Sequence, residues 1–292
     1  MTELLFQTII NGIIVGTIYG IIGCSLAIIY GTMRIVNFAH GEFVISGSYL
    51  SYVVVTVLGL PLLLAVPAAI LFFGIVGLVI YYLIVPRLMK NDDHELPSFL
   101  AMYGVSLIIG SLLLIFFEAD TRSIDLGFSP AYVKFAGLII PKARLIAMGF
   151  GVITILCIWW VLFRTIYGKA LRAAIMNRPA MGVIGLPYKR VTAAAFVVSI
   201  VLAGLTGIMT ALVFPAFNPA GGMEITLIAF VVIVIGGLVN PIGAIFGGIL
   251  FGLVEQLTIL YGSQTLAQII SYVALIVVVY VLPNGILGGR NQ

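Results

Sequence analysis

Charge is scarce in this sequence. Only 8% of its 292 residues are Asp, Glu, Lys or Arg, whereas soluble globular domains carry roughly a quarter. Apolar residues make up 62% of the chain, and the mean hydropathy is +1.26. This composition excludes a soluble globular protein. The recurring runs of about 20 apolar residues are each long enough to cross the ~30 Å hydrocarbon layer of a membrane as a helix.

Patterns that mark other classes of membrane protein are also missing. The alternation of polar and apolar positions that a transmembrane β-barrel requires is not found. We therefore expect an all-α, polytopic helical membrane protein, surrounded by membrane lipid, with one transmembrane domain over residues 1–292. Its first apolar run has neither the positive flank nor the cleavage site of a signal peptide, so we expect that run to be retained as a helix.

Cysteine and histidine are rare. The two cysteines, Cys24 and Cys157, lie inside apolar runs, and we expect small core residues rather than a disulfide framework or a metal site. The polar run from Asp92 to Glu95, which includes His94, could be drawn as a metal site. Because these residues are adjacent and nothing spaces them on one face, we expect a solvated connecting loop instead.

Nucleotide-binding and catalytic patterns are missing as well. No Gly-x-x-x-x-Gly-Lys-Ser/Thr sequence is present, so any ATP must be hydrolysed by another subunit. The scattered acidic residues offer no pair of nucleophile and base, so we expect no catalytic residues and no cofactor. The net charge of +4 comes from positive residues beside apolar runs, as membrane topology demands, and nucleic acid is not an expected partner.

The most basic segment of the chain is residues 164–190, which holds six positive side chains and no acidic one. Such a loop between two apolar runs stays on the cytoplasmic side of a membrane. Within it, Lys169 to Asn177 is rich in Ala and Leu and predicts a short helix, which Pro179 ends. A helix lying across the cytoplasmic face could be bound by another protein. The positive residues are Arg164, Lys169, Arg172, Arg178, Lys189 and Arg190.

The apolar runs predict eight or nine transmembrane helices. Arg87 and Lys90 add to the cytoplasmic charge, whereas the polar connection 118–143 lies one span away, on the opposite side. The run Phe43–Leu58 is short and contains Ser, Gly and Ser. If it crosses fully there are nine spans and the chain starts outside; if it re-enters there are eight and the chain starts inside. The other predicted spans are residues 6–30, 61–84, 98–117, 145–163, 191–213, 225–239 and 266–282, with a further apolar helix around Glu255.

Glycines recur four residues apart in two parts of the chain. Gly12, Gly16 and Gly20 predict a helix face that another helix approaches closely. Residues 236–252 contain two more such pairs, and Asn240-Pro241 predicts a break between two tightly packed helices.

Two short apolar runs follow similar sequences. The first comes after residues 30–42, where polar residues and glycines interrupt the pattern, and the second, Ile225–Val239, follows Gly222 and Glu224. Irregular backbone at membrane depth survives only where protein or water covers it. Paired, interrupted segments in the two halves of a transporter indicate the pathway, so we expect a broken or re-entrant helix, an interior cavity and an inverted internal repeat.

Polar residues near these interruptions are candidates for the translocation path. Ionisable groups at the bilayer centre cost about 2.5–3.5 kcal/mol on insertion scales, so they tend to face a cavity or the protein interior. Glu42 and Arg34 could pair. The competing interpretation is that these residues cap helices or lie at the membrane interface, and His40 is expected to be a hydrogen-bonded packing residue. The candidates are Arg34, Asn37, His40, Glu42, Glu224 and Glu255.

Three stretches of the sequence resemble a known family. Arg34–Tyr49 (RIVNFAHGEFVISGSY), Gly168–Gly185 (GKALRAAIMNRPAMGVIG) and Ile233–Leu257 are similar to the LivH-type inner-membrane permease subunits of branched-chain amino acid ABC importers. The similarity covers essentially the whole chain. It implies transport by alternating access in a bacterial inner membrane, with leucine, isoleucine and valine as the expected substrates.

The resemblance also implies partners. They are a LivM-type permease forming a heterodimer, ATPase subunits of the LivG and LivF types, and an extracytoplasmic solute-binding protein that meets residues 118–143 and 215–222. The basic loop would be the coupling helix that docks into an ATPase cleft, and charge reversal at Arg172 would abolish ATP-driven uptake without affecting membrane insertion. The implied ATPase-coupling residues are Gly168, Lys169, Leu171, Arg172, Ala173, Asn177, Ala180 and Gly182.

Two other functions stay open at the level of sequence. One is an ABC permease for urea and short amides, which are carried by permeases similar in the same motifs, or for other amino acids. An ion-coupled secondary transporter would need an ion site at mid-membrane and no cytoplasmic helix for a partner.

Overall fold

The structure is a computed structural model that describes residues 2–90, 93–124, 126, 131–135, 138–177, 181–182, 185–214, 216–281 and 285. The described residues form ten α-helices and one small hairpin, which confirms the all-α, polytopic fold. The helices are α1 (Thr2–Met33), α2 (His40–Tyr52), α3 (Ala65–Leu88), α4 (Glu95–Phe117), α5 (Lys142–Arg164), α6 (Ile166–Met176), α7 (Tyr188–Val213), α8 (Gly222–Gly236), α9 (Pro241–Tyr261) and α10 (Gln264–Val281).

Seven of these helices are long and apolar enough to cross a membrane: α1, α3, α4, α5, α7, α8 with the preceding turn, and α9. Helix α10 is shorter and apolar, and α2 continues beyond Tyr52 as a π-helical turn, Val53–Val57. The polar connection 118–143 lies on the far side from the basic loop. It contains an antiparallel hairpin of β1 (Tyr132–Phe135) and β2 (Leu138–Pro141). The sequence did not predict this hairpin.

The start of α1 lies on the same face as this hairpin. Gln7 donates a hydrogen bond to the carbonyl oxygen of Ile139 (3.0 Å), and Arg144 donates one to the side-chain oxygen of Asn11 (2.7 Å). The end of α3 lies on the opposite face, where the Tyr81 hydroxyl donates to the carbonyl of Lys189 (2.9 Å). Helices α1 and α3 therefore run in the same direction, and α2 must carry the chain back between them. This fits the nine-span alternative, with the chain starting on the hairpin face.

The core is built on close packing of α1 against α9, as the glycine spacing predicts. The two helices are antiparallel: Gly12 lies beside Leu253, and Gly20 lies beside Ile245. A methyl group at Gly252 would overlap the backbone of Gly16, so the helices touch backbone to backbone. The predicted break before α9 is also confirmed, because the Asn240 side chain caps the helix by accepting from the Gly243 N–H (3.0 Å) and Pro241 follows it.

The two cysteines differ in their surroundings. Both are free; Cys24 is buried in α1, as expected, whereas Cys157 is exposed on α5. The expectation of a core position was therefore wrong for Cys157. Much of α5 faces outward and is apolar, as a helix beside lipid must be, so an apolar run alone does not distinguish core from lipid-facing surface.

Candidate functional site

The basic loop folds into α6, which begins earlier than the sequence predicted. Thr165 caps the helix by accepting from the Gly168 N–H (3.1 Å), and its hydroxyl donates to the Val161 carbonyl (2.6 Å). A side chain at Gly168 would overlap the carbonyls of Val161 and Leu162. Gly168 therefore allows the sharp turn by which α6 leaves the end of α5.

Helix α6 is anchored by small residues and exposes large ones. Ala170 and Ala174 are buried against the helices of the bundle, whereas Ile166 and Tyr167 are each 79% exposed and Met176 is 80% exposed. These three apolar side chains lie at the two ends of a short helix outside the membrane-spanning segments. Exposed apolar side chains in such a place are candidates for contact with another protein. Sequence reasoning singled out none of them.

The predicted coupling residues occupy different positions on this helix. Lys169, Asn177 and Gly182 are exposed, whereas Gly168 is buried; Ala180 lies outside the described residues. Leu171, Arg172 and Ala173 are partly buried. The guanidinium of Arg172 lies over the Phe163 ring, 4.8 Å from its centroid, so this side chain holds α6 onto the end of α5.

A non-helical segment separates α1 from α2, which agrees with the broken helix expected here. Arg34 ends α1 in a left-handed conformation, with φ of +54°, and the chain continues without helix to Ala39. The segment is covered by protein: the Val36 N–H donates to the Ser98 hydroxyl (3.0 Å), and the Ala39 N–H donates to the Asn37 side chain (3.2 Å). Protein cover of this kind is what irregular backbone at membrane depth requires.

The first turns of α2 and α8 meet at a pair of glycines. The Gly41 N–H donates to the Thr226 hydroxyl (2.9 Å), which in turn donates to the carbonyl of Gly222 (3.1 Å). A methyl group at Gly41 would overlap the Gly222 carbonyl oxygen. The two short helices thus begin at one point and lead away from it.

Glu42 lies where these helices meet. Its side chain is 6% exposed, and one carboxylate oxygen accepts from the Ser106 hydroxyl of α4 (3.4 Å). A side chain at Gly222 would collide with the carboxylate, which therefore faces the N-terminus of α8. The partial positive charge of a helix N-terminus stabilises a negative group there. The second carboxylate oxygen is buried and has no hydrogen-bond partner among the described residues.

His40 and Asn37 are buried beside this meeting point. The ring nitrogen Nε2 of His40 lies 2.9 Å from the Ser25 hydroxyl, and that hydroxyl donates to the Ile22 carbonyl (2.8 Å). His40 is therefore hydrogen-bonded and packed, as expected from the sequence. Within the described part of the chain, its Nδ1 and the side-chain nitrogen of Asn37 have no partner.

One possible ion pair is not found in the structure, and one expectation about a polar residue was wrong. Arg34 does not pair with Glu42, because its guanidinium lies over the Tyr30 ring (5.3 Å); the ion pair present in the described residues joins Arg122 and Asp120. His94 is not in a solvated loop: it is buried, and its Nε2 lies 2.8 Å from the Met33 carbonyl. The last carbonyl groups of α1 have no partner within the helix, and His94 hydrogen-bonds one of them. No group of three metal-ligating side chains is found in the described residues.

The remaining acidic candidates join neighbouring helices. Glu224 is exposed on α8 and accepts from the Gln268 amide of α10 (2.7 Å). Glu255 of α9 accepts from the Tyr19 hydroxyl of α1 (3.4 Å). The structure therefore brings Asn37, His40 and Glu42 near one meeting point, whereas Glu224 and Glu255 hydrogen-bond residues of α10 and α1.

The fold and these sites define a class: a multi-pass helical membrane protein with a short, partly exposed helix between two spans. Residues 8–279 match the family described as branched-chain amino acid transport system / permease component, and the chain belongs to that family. A member of this family is the permease component of a transport system, which works with the other components of that system.

Curated relatives match over nearly their whole length. The chain is 26% identical to the high-affinity branched-chain amino acid transport system permease protein LivH of Escherichia coli, covering 97% of this chain and 95% of the relative. It is 24% identical to BraD, the corresponding protein of Pseudomonas aeruginosa, with the same coverage. A probable LivH of Methanocaldococcus jannaschii is 27% identical, with 95% and 91% covered.

A solved structure shares the fold. The chain resembles PsaBC from Streptococcus pneumoniae in complex with Fab, with a TM-score of 0.55 and 15% identity over 97% of this chain and 93% of the other. At this identity the likeness concerns the fold alone.

Proposed function

We propose that this chain is the permease subunit of an ATP-driven importer for branched-chain amino acids in a bacterial inner membrane. It pairs with a LivM-type permease and is driven by ATPase subunits of the LivG and LivF types. An extracytoplasmic solute-binding protein delivers the substrate. The chain itself carries no catalytic residues, and ATP is hydrolysed on its partners.

The observation that carries this proposal is the shape of α6. It is a short helix between two spans, fixed by Gly168 and by Arg172 over Phe163, and it exposes Tyr167 and Met176. A secondary transporter needs no such surface. The sequence contains no phosphate-binding Gly-Lys-Ser/Thr loop, so ATP hydrolysis must take place on a bound protein.

The opposite face of the molecule supports a contact with the binding protein. Arg122 and Phe217 exchange two backbone hydrogen bonds, of 2.9 and 3.0 Å, so the connection after α4 and the turn before α8 form one surface. A binding protein that docks there would touch the turn leading directly into α8 and its contact with α2. Substrate release and the movement of these helices would then be linked.

A reconstitution tests the proposal. The chain, co-expressed with a LivM-type permease and with ATPases of the LivG and LivF types, is placed in proteoliposomes with radiolabelled leucine and a leucine-binding protein. We expect uptake that requires ATP and that excess valine or isoleucine suppresses, whereas urea and acetamide do not. Uptake driven by an ion gradient with no ATPase present, or competition by urea alone, would overturn it.

A second prediction concerns Glu42 as a residue of the translocation path for the amino acid. Glu42→Gln keeps the size of the side chain and the acceptor for Ser106 but removes a negative charge that could attract the ammonium group of an amino acid. We expect ATP-driven leucine uptake to fall about tenfold, which corresponds to about 1.4 kcal/mol, while the melting temperature changes little. The matched control is Glu3→Gln, at an exposed acidic residue of α1, which should transport normally. Normal uptake by Glu42→Gln would restrict Glu42 to a structural role.

A further inference from the structure

An apolar groove of about 370 Å³ runs between α2, α3 and α4. Its walls are aromatic and aliphatic, and the polar groups that it includes are the hydroxyls of Ser46 and Tyr49. A groove of this size and character can hold a hydrocarbon chain. Representative lining residues are Phe43, Tyr49, Phe72, Leu112, Phe116 and Phe117.

The groove opens towards the lipid. Helices α3 and α4 are among the most exposed spans of the chain, and both carry large apolar side chains on their outer surfaces. Three residues of the lining, Phe72, Leu112 and Phe116, are 48%, 46% and 74% exposed. Because the lining belongs to membrane-spanning helices, the medium at this mouth is the hydrocarbon layer.

One end of the groove carries a cation with unused hydrogen-bonding capacity. Arg122, just beyond α4, lies over the Tyr52 ring (5.9 Å) and donates to the carbonyl of Phe117 (3.3 Å), a lining residue. Its ion pair with Asp120 is long, at 3.8 Å. Among the described residues, the Arg122 Nε and the Tyr49 hydroxyl are buried without partners.

We propose that this groove binds a membrane phospholipid, with an acyl chain between α2, α3 and α4 and the phosphate beside Arg122. A buried donor without a partner is costly, and an anionic phosphate beside it would supply an acceptor. Arg122 follows the end of a membrane-spanning helix, which is the level of lipid headgroups. An apolar helix of a second subunit would leave the same donor unpaired, and the lining has no acidic group for the ammonium of a zwitterionic amino acid.

The bound lipid would support α2. The groove includes Phe43 and Ser46, which lie on α2 immediately after Glu42, and the Ser46 hydroxyl donates to the Glu42 carbonyl (2.7 Å). An acyl chain packed there holds the helix at the end where it meets α8. The lipid is thus a structural ligand of the same helix that carries the buried acid.

Native mass spectrometry of the purified complex tests this inference, after extensive delipidation in detergent and with phosphatidylglycerol as the added probe. We expect wild type to retain phospholipid. Leu112→Trp, which fills the groove, should lower the lipid-bound fraction at least tenfold, and Arg122→Gln should weaken binding of the probe about fivefold. The matched control is Leu78→Trp on α3, where Leu78 is 44% exposed and is not part of the lining; it should bind like wild type.

Three results would overturn the inference. The first is that the wild-type protein retains no phospholipid, and the second is that Leu112→Trp and Leu78→Trp bind phosphatidylglycerol equally well. The third is a disulfide between Phe116→Cys and a cysteine in a second permease subunit, which would assign the groove to protein. If Leu112→Trp does not fold, wild type and Arg122→Gln still decide the question, because neither alters the groove walls.

Discussion

Replacing Tyr167 and Met176 by alanine is expected to abolish ATP-driven uptake. Both side chains are about four-fifths exposed at opposite ends of α6, and Tyr is among the residues that dominate protein interfaces. Loss of one such anchor costs about 2 kcal/mol, or roughly 30-fold in Kd, and loss of both should prevent the ATPase subunits from copurifying. The measurements are pull-down of the ATPases with the tagged chain and leucine uptake in proteoliposomes.

The control for this pair is Tyr82→Ala. Tyr82 is also largely exposed, at 66%, but it lies within the membrane-spanning part of α3. Its replacement removes a similar area and should leave both copurification and uptake unchanged. If the Tyr167 and Met176 variants retain their ATPases and transport normally, α6 does not carry the coupling contact, and the proposed energy source fails with it.

Arg172 is expected to behave differently from these two residues. Its guanidinium lies on Phe163 rather than projecting from the surface, so charge reversal removes an anchor of α6. The expected loss of uptake would then arise because α6 is displaced. Comparison of Arg172→Glu with Phe163→Ala separates the two causes: equal losses indicate positioning, whereas a larger loss for Arg172→Glu indicates a direct contact.

The sequence predicted the location of α6 but not which of its side chains are exposed. The cluster of positive charges and Pro179 placed a cytoplasmic helix near Lys169–Asn177, and the helix Ile166–Met176 agrees with this. Which side chains face outward depends on how α6 turns at Gly168, where the carbonyls of Val161 and Leu162 leave no room for a side chain. That turn is a tertiary feature that residue composition does not encode, so Tyr167 and Met176 were not recognised.

The surroundings of Glu42 were also predicted only in part, because they too depend on tertiary packing. The polar residues after α1 predicted a break, and the sequence at Gly41 and Glu42 was compared with the one before α8, but the contact between the two helices was not predicted. The partner of Glu42 could not be predicted, because Ser106 lies in α4, sixty-four residues away in the chain. Arg34 was the candidate partner from the sequence. In the structure Arg34 ends α1 in a left-handed conformation, and its guanidinium lies over the Tyr30 ring.

The meeting of α2 and α8 makes Gly41→Ala the substitution with the largest expected effect on folding. A methyl group at Gly41 would overlap the carbonyl oxygen of Gly222 and crowd the backbone and hydroxyl of Thr226. Two of these groups are backbone atoms of another helix and cannot rotate away. We expect a loss of about 3 kcal/mol in the free energy of unfolding, at the upper end for overpacked cores, which is roughly a hundredfold in the unfolding equilibrium.

The matched control is Gly104→Ala in α4, where no described atom lies within 4 Å of the position that a methyl group would occupy. Alanine is the better helix former by about 0.5–1 kcal/mol, so this variant should melt at or above the temperature of wild type. Thermal unfolding of the detergent-solubilised complex measures both. Because Gly41 also fixes the start of α2, Gly41→Ala should lose uptake even at temperatures where it stays folded. Equal melting temperatures for the two variants would show that α2 and α8 do not meet backbone to backbone in the assembled importer.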